Sequence, residues 1–507
     1  MSTGNDIRKS FLDYFVKQGH TVVRSSSLVP DKDPTLLFTN AGMVQFKNVF
    51  LGKERLPYVR AASAQKCLRI SGKHNDLEAV GRDTYHHTFF EMLGNWSFGD
   101  YYKAEAIQWA WELLTQEWGL PKDKLWATVY LDDDEAEQLW AKISSLPRER
   151  IRRFGEKENF WEMGETGPCG PCSEIHLDRG ASACDRQGEA GHECRINGDC
   201  ARYIELWNLV FIQYNRSEDG SLSELPAKHV DTGMGLERIT AVLQNVLSNY
   251  DIDFMRSLTA TTEKLTGKQY GVDPVTDISF RVIDDHARAI SFLIADGVMP
   301  SNEGRGYVLR RLLRRAARHG RLIGLREPFL HEVAATVVTV MGDAYPELRK
   351  EEQRIRTVIW GEEERFGETL EKGLVLLEEA TSKLKENKKS VLPGDVAFRL
   401  YDTYGFPLDL TEDILRADNI AVDQAGFEQL MDEQRARARD ARETPALETR
   451  IHLDHPVTFI GYDRLDGESA ILAIYGNGSG KPEAGEGEEV DVITAETPFY
   501  GESGGQV

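Results

Sequence analysis

The segment HVDTGMGLER, residues 229–238, sets a carboxylate, Asp231, just ahead of two glycines one residue apart, with Arg238 one helical turn beyond them. Glycine lets backbone approach a ligand closely, and a helix opening at such a turn directs unpaired N–H groups toward an anion. Glu237 to Leu247 has the apolar spacing of that helix. Taken alone, the pattern is better explained by a turn that caps a helix, so its meaning depends on what else the chain supplies.

Upstream, QKCLR at 65–69 leads through GKHND at 72–76 to HHTFFEMLGNW at 86–96. This reads as a strand, a long polar loop and a returning aromatic strand, with cations in and beside the loop and flat side chains behind it. Phosphates need such cations, and a purine needs an aromatic or guanidinium face. A solvated basic loop over an ordinary aromatic core is the plainer alternative. Leu125 to Leu131 and Arg202 to Tyr214 read as further strands, because β-branched and aromatic residues dominate both. Helical periodicity appears over Ile7 to Gly19 and Ala104 to Trp118, and the stretch around Leu36, Leu37 and Phe38 reads as loops with a buried strand.

After about Tyr250 the character changes. Ile283 to Ala295, Tyr307 to Leu322, Pro328 to Met341 and Leu348 to Glu386 all carry helical patterns. After about Thr444, short apolar runs at Val457 to Ile460 and Ala470 to Tyr475 alternate with glycine turns, and Gly476 to Gly487 reads as a mobile loop between strands. The chain stops at PFYGESGGQV, within what reads as β structure, so a fragment of a longer protein is expected. The expected division is 1–248, 249–446 and 447–507.

A chain of 507 residues exceeds one ordinary hydrophobic core and leaves room for a buried cleft. No run of about eighteen apolar residues occurs, and the start lacks a signal or transit peptide, so a cytoplasmic, non-membrane protein is expected. The net charge of −22 argues against nucleic acid on average. RGYVLRRLLRRAARHGR at 305–321 is the local exception: Arg310, Arg314, Arg318 and Arg321 share one arc, Arg311 and Arg315 lie beside it, and Val308, Leu309, Leu312, Leu313 and Ala316 lie opposite. A basic face on so acidic a protein points to phosphate binding, the alternative being a solvated helix. Five of the six cysteines crowd between Cys169 and Cys200. Cys184, His192, Cys194 and Cys200 could hold structural Zn²⁺, although free thiols in a loop are the simpler reading. Cys169-Gly-Pro-Cys172 lacks the βαβ setting of a redox motif, and His452 and His455 read as surface residues.

Taken together, these segments resemble the alanyl-tRNA synthetases of the class II aminoacyl-tRNA synthetase family. The resemblance runs in family order through PDKDPTLLFTNAGM (30–43), KHNDL (73–77), HHTFFEMLG (86–94), GPCGPCSEI (167–175), LWNLV (206–210), VDTGMGLER (230–238), PSN (300–302), YDTYGFP (401–407) and the final residues. It implies an α+β fold: an antiparallel-sheet catalytic domain flanked by helices, an all-helical tRNA-recognition domain and a partial β-barrel. It also implies ATP and Mg²⁺, L-alanine and tRNA(Ala), and no membrane partner.

Residue by residue, the resemblance puts Arg69 on the α-phosphate and His87 on ATP. Trp161, Leu206, Trp207 and Asn208 line the shared nucleotide and alanine site, and Gly235 touches the nucleotide. Asn208 and Asp231 hold alanine, Asp231 by pairing with its ammonium, and Val210 closes a methyl-sized pocket. Arg238 packs on adenine or the outer phosphates. Asn302 and Asp402 match the readers of an acceptor-stem G·U pair, beside the phosphate contacts expected of Arg310, Arg314 and Arg318. The final TPFYGESGGQV matches the element that introduces an editing domain and an oligomerising tail, so a monomeric fragment without editing is expected. Two other readings stay open: a class II adenylating enzyme that charges no tRNA, and a catalytically silent RNA-binding module.

Overall fold

Alternating apolar residues build one large sheet in a computed structural model of the chain, which describes residues 2–30, 36–71, 74–416, 418–442, 457–460, 464, 466–476, 479–485, 488 and 490–499. Its strands are β1 (Thr21–Val22), β2 (Arg60–Leu68), β5 (Phe89–Ser97), β6 (Leu125–Tyr130), β7 (Ile151–Phe154), β8 (Phe160–Glu162), β9 (Gly167–Asp178), β10 (Tyr203–Arg216) and β11 (Leu222–Gly235). A separate two-residue ladder, β3 (Ile70–Ser71) with β4 (His74–Asn75), sits in the β2–β5 connection. The strand order is β1-β2-β5-β11-β10-β9-β6-β7, with β8 on β9. β1–β2 and β6–β7 are parallel and the remaining pairs antiparallel.

Helix α1 (Gly4–Lys17) opens on a capping box in which Thr3 and Asp6 satisfy each other's backbone N–H groups. Along with α3 (Lys103–Glu112) and α4 (Asp134–Ser144) it packs on one face of the sheet. Phe11, Phe15, Trp111 and Trp140 there bury against Trp207, Leu209, Phe211, Val230 and Met234. The single turns α2 (Lys47–Phe50) and α5 (Glu156–Asn159) and helix α6 (Leu236–Leu243) complete the sheet's surroundings.

Then come α7 (Asp253–Thr266), α8 (Pro274–Ala295), α9 (Gly304–Leu322), α10 (Leu330–Met341), α11 (Pro346–Lys350) and α12 (Glu352–Glu386). Asp273 caps α8, Pro274 occupies its first turn, and nearly the whole helix is buried. Its charges are therefore all engaged within the protein. Arg288 pairs with Glu237, and Lys66 on β2 reaches Asp296 and Glu347 at 2.7 Å each. Arg8 holds Glu91 through two bonds of 2.6 and 2.7 Å, and Tyr345 donates to Glu91 at 2.7 Å. Such pairs contribute little against an apolar core, but removing one partner strands a buried charge.

The chain divides into two compact units, Met1–Pro300 with Gly304–Gly367, and Ser301–Glu303 with Glu368–Val507. The second contains α13 (Gly394–Tyr404), α14 (Leu408–Arg416) and α15 (Gln424–Arg442), with β12 (Val391–Leu392) beside β13 (Ala421–Val422). Tyr401 packs edge-on against Phe427, and Phe398 tilts toward the same ring, between α13 and α15. Farther on, β14 (Thr458–Phe459) pairs with β18 (Glu496–Thr497), while β15 (Ile471–Gly476) is flanked by β16 (Ser479–Lys481) and β17 (Asp491–Thr494). No described helix is long and apolar enough to cross a membrane.

Several expectations need correction. Leu36 to Phe38 is irregular backbone, not strand, anchored by Thr39, which donates to Leu28 O and accepts from Leu68 N. The helical run from Leu348 breaks at Glu351. Gly476 to Gly487 holds a strand, β16, rather than loop alone. The 446/447 boundary, His452, His455, Gly72, Lys73 and the last residues from Tyr500 lie outside the described residues.

Candidate active site

Period-two alternation in the central strands sends one set of side chains into the helix-covered core and the other into a cavity of 310 Å³ on the opposite face. Phe90 and Met92 enter it from β5, Asp231, Gly233 and Gly235 from β11, and Leu206, Asn208 and Val210 from β10. Arg69, His87, Trp161 and Arg238 also line it, so nine of the site residues predicted from the sequence, Gly235 among them, converge there. Trp207 does not. Its indole is fully buried on the other face, against the rings of Phe11 and Phe15, because it is the odd member of an alternating strand. Expecting its side chain in the pocket was wrong.

Asp231 lies opposite Trp96 on β5 and Val210 on β10. Trp96 Nε1 donates to its Oδ1 at 2.5 Å. Burial of the carboxylate outweighs that one hydrogen bond and pushes its pKa up to about 7. A cation placed beside it would reverse the balance. Asn208, two residues along β10 from Val210, has its Oδ1 buried without a hydrogen-bond partner among the described residues.

Two arginines flank the cavity. Arg69, just past the end of β2, donates from Nε to Asn40 O at 3.2 Å, and its guanidinium lies 5.0 Å from the Phe90 ring centre. Arg238, in the first turn of α6, reaches Glu205 O and Oε2 at 3.2 and 3.3 Å and lies 5.7 Å from the Tyr85 ring centre. Gly235 ends β11 and precedes α6 directly, which is how a strand carboxylate and a helix arginine come to share one cavity.

His87 Nδ1 lies 3.3 Å from Asp285 Oδ1 on α8, and its ring packs on Tyr250 at 4.8 Å. Its Nε2 is buried without a described partner. Asp285 also accepts from Thr88 N at 2.9 Å and from His286 Nδ1 at 2.9 Å, and these bonds hold its carboxyl below the usual carboxylate range despite full burial. Arg315 donates to His286 Nε2 at 3.0 Å, so His286 is neutral with its proton on Nδ1. Sequence reading missed Asp285, Trp96, Tyr85, Glu174 and Glu205. The aromatic residues left a signal as members of the aromatic strand and its flank, and Glu174 as a member of GPCGPCSEI; Asp285 and Glu205 left none.

Away from the cavity, α9 departs from the expected cationic stripe. Arg310 Nε and Arg314 Nη2 lie 2.9 and 3.0 Å from Glu362 Oε1, a carboxylate whose side chain is 2% exposed, and Arg314 also covers the Phe366 ring. Arg315 is buried, donating to Leu77 O at 3.1 Å as well as to His286. Arg318 is half-buried. Two members of the expected stripe, Arg310 and Arg314, thus pack against an acid instead of standing open. Asn302 and Asp402, both exposed, fall in the second compact unit, where Gln434 Nε2 donates to Asp402 Oδ1 at 2.5 Å.

In the insertion between β9 and β10, the ligand atoms of Cys184, His192, Cys194 and Cys200 all lie within 4.8 Å of one another.

A family model described as tRNA synthetases class II (A) matches residues 6–507. The protein named alanine--tRNA ligase in Oleidesulfovibrio alaskensis is 54% identical over 518 residues, covering all of this chain and 58% of that protein. Its counterpart in Nitratidesulfovibrio vulgaris is 53% identical over 519 residues, with 58% of its length covered. That of Hydrogenovibrio crunogenus is 54% identical over 506 residues, with 57% covered. The chain thus spans well under two thirds of the length of these relatives.

Proposed function

The chain belongs to the class II tRNA synthetases, and from that premise we propose that it activates L-alanine with ATP and transfers it to the 3′ end of tRNA(Ala). The observation that carries the reading is Asp231, a buried carboxylate with a single hydrogen bond from Trp96, facing a cavity lined also by Asn208 and Val210. An α-ammonium is the partner such a group lacks, and Val210, which lines the same cavity, would close the pocket around alanine's methyl group. The names of the relatives agree with that choice of amino acid.

In the first step the alanine carboxylate attacks the α-phosphorus of ATP and pyrophosphate leaves. That displacement needs two anions brought together and charge stabilised, not a protein nucleophile. Arg69 would neutralise the α-phosphate and Arg238 the adenine face or outer phosphates, each guanidinium already lying against an aromatic ring. His87 Nε2, with Nδ1 turned to Asp285, would accept a hydrogen bond from the nucleotide. Mg²⁺, a hard cation that takes oxygen ligands, would neutralise phosphate charge, and Glu174 and Glu205 are cavity carboxylates of the kind it accepts. In the second step the terminal ribose hydroxyl of the tRNA attacks the aminoacyl carbonyl and AMP leaves. No residue is assigned as general base.

We assign reading of the acceptor-stem G·U pair to Asn302 and Asp402, since the exposed guanine amino group is a donor and both side chains offer acceptors. The test is alanine-dependent pyrophosphate exchange followed by charging of tRNA with and without the G·U pair. Asp402→Ala should lower charging and spare exchange. Equal loss of both, or exchange without any charging by the unaltered chain, would overturn the assignment.

A further inference from the structure

We propose that Cys184, His192, Cys194 and Cys200 bind one structural Zn²⁺, which fixes the 179–202 insertion as a wall behind the nucleotide side of the cavity. The connection from Asp178 to Tyr203 has one short turn of regular structure, Ala181–Ala183. Its buried apolar residues apart from cysteine are only Ala183, Ile196 and Ala201. A connection of that length with so little core requires another tether. Positive φ at Gly180, Gly188, Gly191 and Asn197 turns the backbone repeatedly, bringing residues sixteen apart onto one point.

The geometry at that point is a metal site's. Cys184 Sγ and Cys194 Sγ lie 3.2 and 3.5 Å from His192 Nε2, and all four ligand atoms fit within 4.8 Å. Ligands about 2.0–2.3 Å from a tetrahedral ion would be spaced in this way. His192 Nδ1 faces Asp199 Oδ1 at 3.7 Å, so the ring is oriented with Nε2 toward the sulfurs and a carboxylate behind it, the outer arrangement typical of zinc-bound histidine. Three thiolates and a neutral imidazole around Zn²⁺ carry one net negative charge. Arg202, within reach of Cys194, offsets it while pairing with Asp178 at the end of β9. Sulfur-rich tetrahedral coordination selects zinc over Mg²⁺.

The insertion touches the site through two groups. Asn197 donates to Glu174 Oε2 at 3.1 Å, and Glu174 lines the cavity. Cys200 lines a smaller recess of 130 Å³ together with Tyr85 and Arg238. Zinc therefore positions a group bonded to the cavity carboxylate Glu174 and one wall of the recess that Arg238 also lines, a consequence for the nucleotide that rests on the function proposed above, whereas the metal itself does not.

The experiment is elemental analysis of the purified chain, then chelation and Co²⁺ reconstitution. About one equivalent of zinc, and tetrahedral thiolate-bound Co²⁺ absorption after exchange, are expected. Cys194→Ser should lower the metal content and weaken the Co²⁺ charge-transfer band, whereas His192→Cys, which keeps four ligands by adding a fourth thiolate, should retain the metal and strengthen that band. Metal-depleted protein should show a raised KM for ATP with kcat for pyrophosphate exchange less affected. Native-like protein containing no zinc and taking up no Co²⁺, a disulfide among the three cysteines, or an iron chromophore would each overturn the site. Stoichiometric zinc with an unchanged KM for ATP on depletion would instead reject only the link to the nucleotide.

Discussion

Replacing Asp231 by asparagine should separate folding from alanine recognition. Burial holds this carboxyl near 7 against 3.8 for a free group, so keeping it ionised without alanine costs about 4 kcal/mol. The sign follows from the raised value: the folded chain holds the proton more tightly than the unfolded chain. Stability contributed at this position is therefore full below about pH 4, falls as pH rises toward about 7, and is flat above. D231N lacks that slope and should be at least as stable as the parent at pH 8. Alanine, however, loses the ionic partner of its ammonium. Removing one member of a buried charge pair costs about 3 kcal/mol, which is roughly two orders of magnitude in kcat/KM for alanine. The parent's KM for alanine should fall as pH rises through about 7, since only the ionised carboxylate pairs with the ammonium, while D231N shows no such dependence. Pyrophosphate exchange across that range, with ATP affinity measured separately, reads all of this. Retention of kcat/KM within a few-fold in D231N, or a parent KM for alanine that ignores pH, would refute the role of Asp231.

Gly235→Ala puts a Cβ 3.6 Å from Arg238 Cγ, an ordinary contact, at a φ of −66° that any residue adopts. The variant should fold normally and lose ATP affinity, and unchanged ATP binding would remove Gly235 from the nucleotide contact. Arg8→Ala leaves Glu91 buried with Tyr345 as its remaining side-chain partner and should destabilise the first unit by about 3 kcal/mol, read as a lower denaturation midpoint. Arg314→Ala should lower both tRNA charging and thermal stability because Glu362 loses part of its compensation, whereas a pure RNA contact would leave stability untouched.

Which parts of this were legible in sequence follows from the range of the interactions. The strands and most helices are local patterns, and the convergence of Arg69, Asn208, Asp231 and Arg238 followed from recognisable segments in a familiar order. The state of Asp231 was not legible, because it depends on Trp96, 135 positions away, and on the cover of a whole sheet. Trp207 shows the opposite error. Its neighbours Leu206 and Asn208 line the cavity, yet strand alternation alone is enough to send the indole to the other face. Leu36 to Phe38 was apolar enough for a strand, but its backbone is held by single bonds to two separate segments instead of a ladder.

The arginine helix shows where reading by periodicity stops. A helical wheel assigns Arg310, Arg314 and Arg315 to a side of α9 but says nothing of what that side meets. Glu362, 48 residues after Arg314, meets it, and a buried carboxylate between two guanidiniums turns a supposed binding face into a packing seam. Arg315 goes further inward. It donates to His286, which donates to Asp285, which also accepts from His87 at the cavity wall. Each member of that chain is buried, so displacing Arg315 would leave His286 Nε2 unsatisfied and remove the bond that orients the rest of the path. The basic helix therefore bears on the active site through hydrogen bonds within the protein, whatever its exposed edge contacts, and loss of activity on altering it is not by itself evidence of lost RNA binding.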